Sequence, residues 1–113
     1  MQDDSWVNNF VGAITVCDPE GIILEMNAAA AKEFAVQGGT ALIGGSLLDC
    51  HPEPSRSRVK DMLVEQKPNT YTFEKNGVKK FIYQTPWYTE EGYAGFVELI
   101  LPVPAGIPHH SRD

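Results

Sequence analysis

Long apolar runs are missing from this chain: no stretch approaches the roughly 18 to 20 continuous apolar residues that a membrane-spanning helix needs, so the sequence reads as a soluble domain with no membrane partner. Cysteine is scarce. Cys17 and Cys50 are too few for a disulfide framework, and no charged-then-apolar leader precedes the first candidate strand, so a reducing, cytoplasmic setting is expected. Basic residues are outnumbered, nine against fifteen acidic ones for a formal charge of −6, and a phosphate backbone would meet net repulsion. Nucleic acid is therefore not expected as a partner. The short basic groupings, Arg56, Arg58 and Lys60 and then Lys79 and Lys80, read as solvated faces. Phosphate-loop chemistry is absent too, because Gly38-Gly39 and Gly44-Gly45 lack the strand-to-helix context and the lysine that such loops use.

What remains is a chain of 113 residues, enough for one compact domain and too short for two. Trp6, Val7 and Phe10 recur at helical spacing behind Ser5 and predict a short amphipathic helix over 1–11. Ala13 to Asp18 and Ile22 to Met26 are β-rich and flank Asp18-Pro19-Glu20-Gly21, where proline presets the first turn dihedral and glycine accepts a positive φ. Asn27 then stands where its side chain can cap a helix through Ala28 to Phe34. The glycine pairs bracket Ala41, Leu42 and Ile43 as a short helical turn. Pro52 and Pro54 suit the start of a helix from Ser55 to about Gln66, with Val59, Met62 and Leu63 on one face.

The last third alternates as strands do. Tyr71 and Phe73 share one face of Thr70 to Glu74, and Asn76-Gly77 is a strong hairpin signal. Lys79 to Tyr88 and Tyr93 to Leu101 follow, with Pro86 at a bulge, an edge or a strand end. Pro102, Pro104 and Pro108 mark an irregular tail over 103–113. A lone hairpin is marginal in water, so the early hairpin should join the late meander in one sheet. The predicted class is α+β: a five-stranded antiparallel sheet with helices covering one face, a short N-terminal helix, and a ligand pocket between helices and sheet.

The series from Ala13-Ile14-Thr15-Val16-Cys17-Asp18-Pro19-Glu20-Gly21 through Ile22 to Asn27, Ala28 to Phe34 and Leu42-Ile43-Gly44 resembles the PAS domain family, and the resemblance runs from Phe10 to about Leu101. It implies a PAS domain over 12–102, a sensor and signalling module rather than an enzyme, with a small-molecule ligand, a homodimer partly through the N-terminal helix and sheet face, and a downstream signalling domain as partners. Asp49-Cys50-His51-Pro52-Glu53-Pro54-Ser55 with Val59 is similar to PAS domains that accompany hemerythrin-like domains in bacteria and archaea. The end departs from the family, because Leu101-Pro102-Val103-Pro104 replaces the common Asp-Ile-Thr.

Cys50 and His51 are the candidates for chemistry, and their placement weighs against catalysis. Adjacent residues rarely present a nucleophile and base to each other, and zinc normally takes four spaced ligands. The axial histidine of PAS haem sensors lies inside the long helix, whereas His51 precedes it. The Asn-Cys-Arg motif of flavin photosensors is missing. No metal is expected, no cofactor can be named, and the domain should be colourless. Cys17 reads as a buried small hydrophobe. The expected ligand contacts are His51, Cys50, Met62, Tyr83, Trp87 and Phe34, with the polar tips of Tyr83 and Trp87 orienting the ligand.

Overall fold

The computed structural model describes residues 4–49 and 51–113. Ser5 caps α1 (Trp6–Asn9), its hydroxyl accepting from the Asn8 amide. Strands β1 (Ala13–Cys17) and β2 (Ile23–Met26) form the first hairpin. Its turn is held by the Asp18 carboxylate, which accepts from the amides of Glu20 and Ile22 at 2.9 and 3.0 Å. Helix α2 (Ala28–Glu33) follows, then two 3-10 turns at Ala35–Gln37 and Gly39–Leu42, then α3 (Ser55–Glu65). Strands β3 (Asn69–Lys75), β4 (Val78–Thr89) and β5 (Gly92–Pro102) complete the chain's regular structure.

The two strand groups join in one antiparallel sheet of order β2-β1-β5-β4-β3. β3 pairs with β4 only as far as Asn69 opposite Gln84. Beyond that point β4 is an edge, which is where Pro86 sits without costing a ladder bond. Asn76 and Gly77 both take positive φ, as the predicted two-residue hairpin turn requires.

The inner sheet face meets the helices in two clusters. Ala13, Ile23, Met26, Ala30, Ile82 and Ile100 form one, and Cys17, Leu63 and Phe96 the other, with Val59 and Met62 packed against it. Cys17 is buried as expected, and burial pushes its thiol above the ordinary range. The Tyr93 hydroxyl donates to the Leu63 carbonyl at 2.9 Å and ties α3 down.

Asn27 anchors the layout. It is fully buried. Its Oδ1 accepts from the amides of Ala30 and Ile14, both at 2.9 Å, and its Nδ2 donates to the carbonyls of Val7 and Gly12 at 3.0 and 2.9 Å. One side chain thus caps α2 and fixes both α1 and β1 to it.

At the α3 entrance His51 bonds back to the Leu47 carbonyl and not into the helix. The Glu53 carboxylate accepts from the Ser57 amide and hydroxyl, and those bonds pull its pKa down. Lys80 is not a solvated cation either, because its ammonium pairs with Glu33 of α2. Arg56, Arg58 and Lys60 are exposed along α3.

Candidate functional site

Period-two alternation decides what the sheet shows to the helices. The antiparallel register sets Asn69, Gln84, Glu98, Thr15 and Met26 side by side across all five strands, and this row lies on the face that carries Ile82 and Ile100. Above it is a cavity of about 360 Å³ under α2, the 3-10 turns and the segment before α3. Ile23, Met26, Phe34, Leu42, Leu47, Phe73, Ile82 and Ile100 give it apolar walls. That volume falls at the small end of the range for ligand pockets.

Gln84 and Glu98 form the polar end of the cavity, and Asn69 stands behind them in the neighbouring cleft. The Asn69 Nδ2 donates to the Gln84 Oε1 at 2.9 Å, and the Gln84 Nε2 donates to the Glu98 Oε2 at 2.7 Å. Donors therefore point one way along the row and end on Glu98, leaving it as the terminal acceptor. Burial pushes the Glu98 carboxyl up. The Gln84 bond and His51 pull it down, and Glu33 adds a smaller upward push. The same burial, with Glu98 nearby, raises the Tyr71 phenol.

His51 completes the end. Its Nδ1 lies 2.6 Å from the Leu47 carbonyl, and a carbonyl can only accept, so Nδ1 carries the proton of that bond and Nε2 is left for another partner. His51, Tyr71 and Gln84 also border a second, wider cleft of about 540 Å³ between α3 and β3. The cleft therefore adjoins the cavity along those three side chains.

Of the residues predicted to touch a ligand, Phe34 and His51 line the cavity, and Met62 lines the cleft and a small adjoining void beneath α3. Cys50 lies outside the described residues. Tyr83 stands on the outer face of the sheet, edge-on to Phe81, because it is one residue out of phase with Ile82 and Gln84. Trp87 donates its indole N–H to the Cys17 carbonyl at 3.2 Å and lines neither cavity nor cleft. Its partner in β5 is Gly95, whose φ of +129° and close approach to the Cys17 and Asp18 backbone leave no room for a side chain.

Gln84 and Glu98 were the residues that sequence reasoning missed. A signal existed: Glu98 is the one charged residue between Phe96 and Ile100 at period two, an acid on a core-facing row. Among the described residues no group of three or more His, Cys, Asp or Glu side chains is gathered to hold a metal, and no helix is long and apolar enough to cross a membrane.

Comparison with known proteins agrees with this architecture. No curated protein sequence matches. Among solved structures, the PAS domain of BvgS from Bordetella pertussis is 18% identical with a TM-score of 0.63, covering 88% of this chain and 82% of its own. The PAS domain of an HTR-like protein from Haloarcula marismortui is 15% identical with a TM-score of 0.62, covering 87% and 86%. The Aer2 receptor from Vibrio cholerae, described as a dual PAS-heme oxygen sensor, is 20% identical with a TM-score of 0.60, covering 82% and 95%. These likenesses show the fold. The family model for the PAS fold matches residues 7–66, more than half of the sequence, and the chain belongs to the PAS-fold family.

Proposed function

We propose that this PAS domain is a non-catalytic, cytoplasmic sensor module that binds a small molecule in the cavity over the Asn69-Gln84-Glu98 row and relays its occupancy to a partner domain. The observation that carries this reading is the cavity itself, about 360 Å³ with apolar walls and a polar end that converges on Glu98. A PAS fold serving only for dimerisation would have that space filled by side chains, as cores are. The PAS family is generally sensory, which supports the non-catalytic part. The free buried thiol of Cys17 supports a reducing compartment.

Two finer parts belong to the same reading. The domain pairs with a second copy through the outer sheet face and α1. Supporting this, Trp6 is 77% exposed, and Ile14, Val16, Phe81, Tyr83, Val97, Leu99 and Leu101 alternate away from the core on adjacent strands. Membership of the subgroup that accompanies hemerythrin-like domains rests on Asp49 to Ser55 alone. Haem is not carried over from the Vibrio cholerae receptor, because His51 precedes α3 rather than lying within it.

A thermal-shift screen of metabolites against wild type and Leu42→Trp, which fills the cavity from the 3-10 turn, tests the sensor reading. Hits should raise the wild-type Tm, since a ligand at a hundredfold excess over Kd adds about 2.7 kcal/mol, and should lose that shift in Leu42→Trp. Hits that shift both proteins equally would place binding elsewhere and leave dimerisation as the function.

A further inference from the structure

We propose that the ligand of this cavity is a small organic cation, an ammonium or amidinium group on a short apolar body, with the Glu98 carboxylate as its counter-charge. This deepens the sensor reading above and rests on it.

Glu98 occupies the middle of β5 between the buried Phe96 and Ile100 and faces the cavity. A carboxylate withdrawn from water is costly unless a charge or several donors meet it. The protein supplies one donor, the Gln84 Nε2, whose orientation is fixed because Asn69 donates to its other end. His51 lies on the same cavity lining and draws the Glu98 carboxyl down, but among the described residues the lysines and arginines are spent or remote. The ion pair recorded among the described residues joins Lys80 to Glu33. Lys75, the lysine on the cavity wall, stands six residues along β3 from Asn69, which is about 20 Å in the strand direction. Arg58 and Lys67 border the outer cleft, not the cavity.

His51 commits its Nδ1 proton to the Leu47 carbonyl, and its Nε2 accepts only while the ring is neutral. A carboxylate at this end selects a group that carries donors and positive charge, and it repels carboxylates and phosphates. Ile23, Met26, Phe34 and Ile82 then select an apolar remainder. Burial holds the Glu98 carboxyl above its ordinary range, so a bound cation should lower it.

Benzamidine, benzamide and benzoate match in size and shape and differ in charge. Titration calorimetry of the full chain with each, repeated on Glu98→Gln and Leu42→Trp, is the test. Benzamidine should bind wild type at least tenfold more tightly than benzamide, and benzoate should give no heat. Glu98→Gln should weaken benzamidine about 10- to 100-fold, the worth of a charge-assisted hydrogen bond, and leave benzamide within about threefold. Leu42→Trp should abolish both. Benzamide or benzoate binding as tightly as benzamidine would overturn the cation assignment, as would no binding by any of the three at millimolar concentration. Hits among acids or neutral metabolites in the screen, lost in Leu42→Trp, would then keep the sensor reading while the cation is discarded.

Discussion

Replacing Asn27 should damage the fold more than loss of an ordinary helix cap. In Asn27→Ala the amides of Ala30 and Ile14 lose their acceptor, and the carbonyls of Val7 and Gly12 lose their donor. Loss of the cap alone costs about 1 kcal/mol. Each buried backbone group left unpaired adds roughly 1 kcal/mol or more, although Val7, near the surface, regains water when α1 peels away. The sum is about 3 to 4 kcal/mol, a large part of the 5 to 15 kcal/mol that typically holds a domain together. Urea denaturation should show a midpoint lowered accordingly, with the slope unchanged. Asn27→Asp should cost as much as Asn27→Ala, since it keeps both acceptors but turns a carboxylate toward two carbonyl oxygens. Asn27→Ser, which retains one acceptor, should cost less. Hydrogen exchange should accelerate from Val7 to Gly12 before it does in β4. A loss below about 1 kcal/mol for Asn27→Ala, or unchanged exchange at α1, would refute the assignment of Asn27 as the anchor.

Further expectations concern single side chains. A carboxyl whose folded pKa is raised binds its proton more tightly in the native state, so Glu98 takes away stability as pH rises from the ordinary glutamate value of 4.5 through its folded pKa. Around it stand Thr15, Glu33, His51, Tyr71 and Gln84. Glu98→Gln should be more stable than wild type at pH 7, on the order of 1 kcal/mol, and flatter in its stability between pH 4.5 and 7, a comparison that thermal melts across that range would make. Gly95→Ala should unfold or lose more than about 2 kcal/mol, because a Cβ would stand 1.9 Å from the Cys17 carbonyl oxygen; a near-native melting curve would contradict the close approach. Tyr93→Phe should cost about 1 kcal/mol through loss of the Leu63 tether and speed proteolysis within α3.

Local rules made the scaffold legible. Asp18-Pro19-Glu20-Gly21, Asn76-Gly77 and the alternation around Tyr71 and Phe73 act over two to four residues, and each appears where the sequence placed it. Asn27 was legible as the α2 cap for the same reason. Its other bonds were not, because their partners lie 13 to 20 residues away. The cavity's polar end suffered from the same distance effect. The pairing of Gln84 with Glu98 depends on β4 to β5 register, and attention to aromatic tips favoured Tyr83 and Trp87. Tyr83 is on the wrong parity, and the Trp87 N–H is committed to the Cys17 carbonyl, 70 residues away in sequence. A charged residue in a core-facing period-two row was the better clue.

Whether a ligand occupies the cavity over the Asn69-Gln84-Glu98 row can be read from amide chemical-shift mapping with the compound that gives the largest thermal shift. Perturbations should centre on Thr15, Phe34, Ile82, Gln84 and Glu98, with the Gln84 side-chain amide among the largest. Perturbations confined to Tyr83, Leu99 and the rest of the outer face, with that row unmoved, would contradict binding in the cavity.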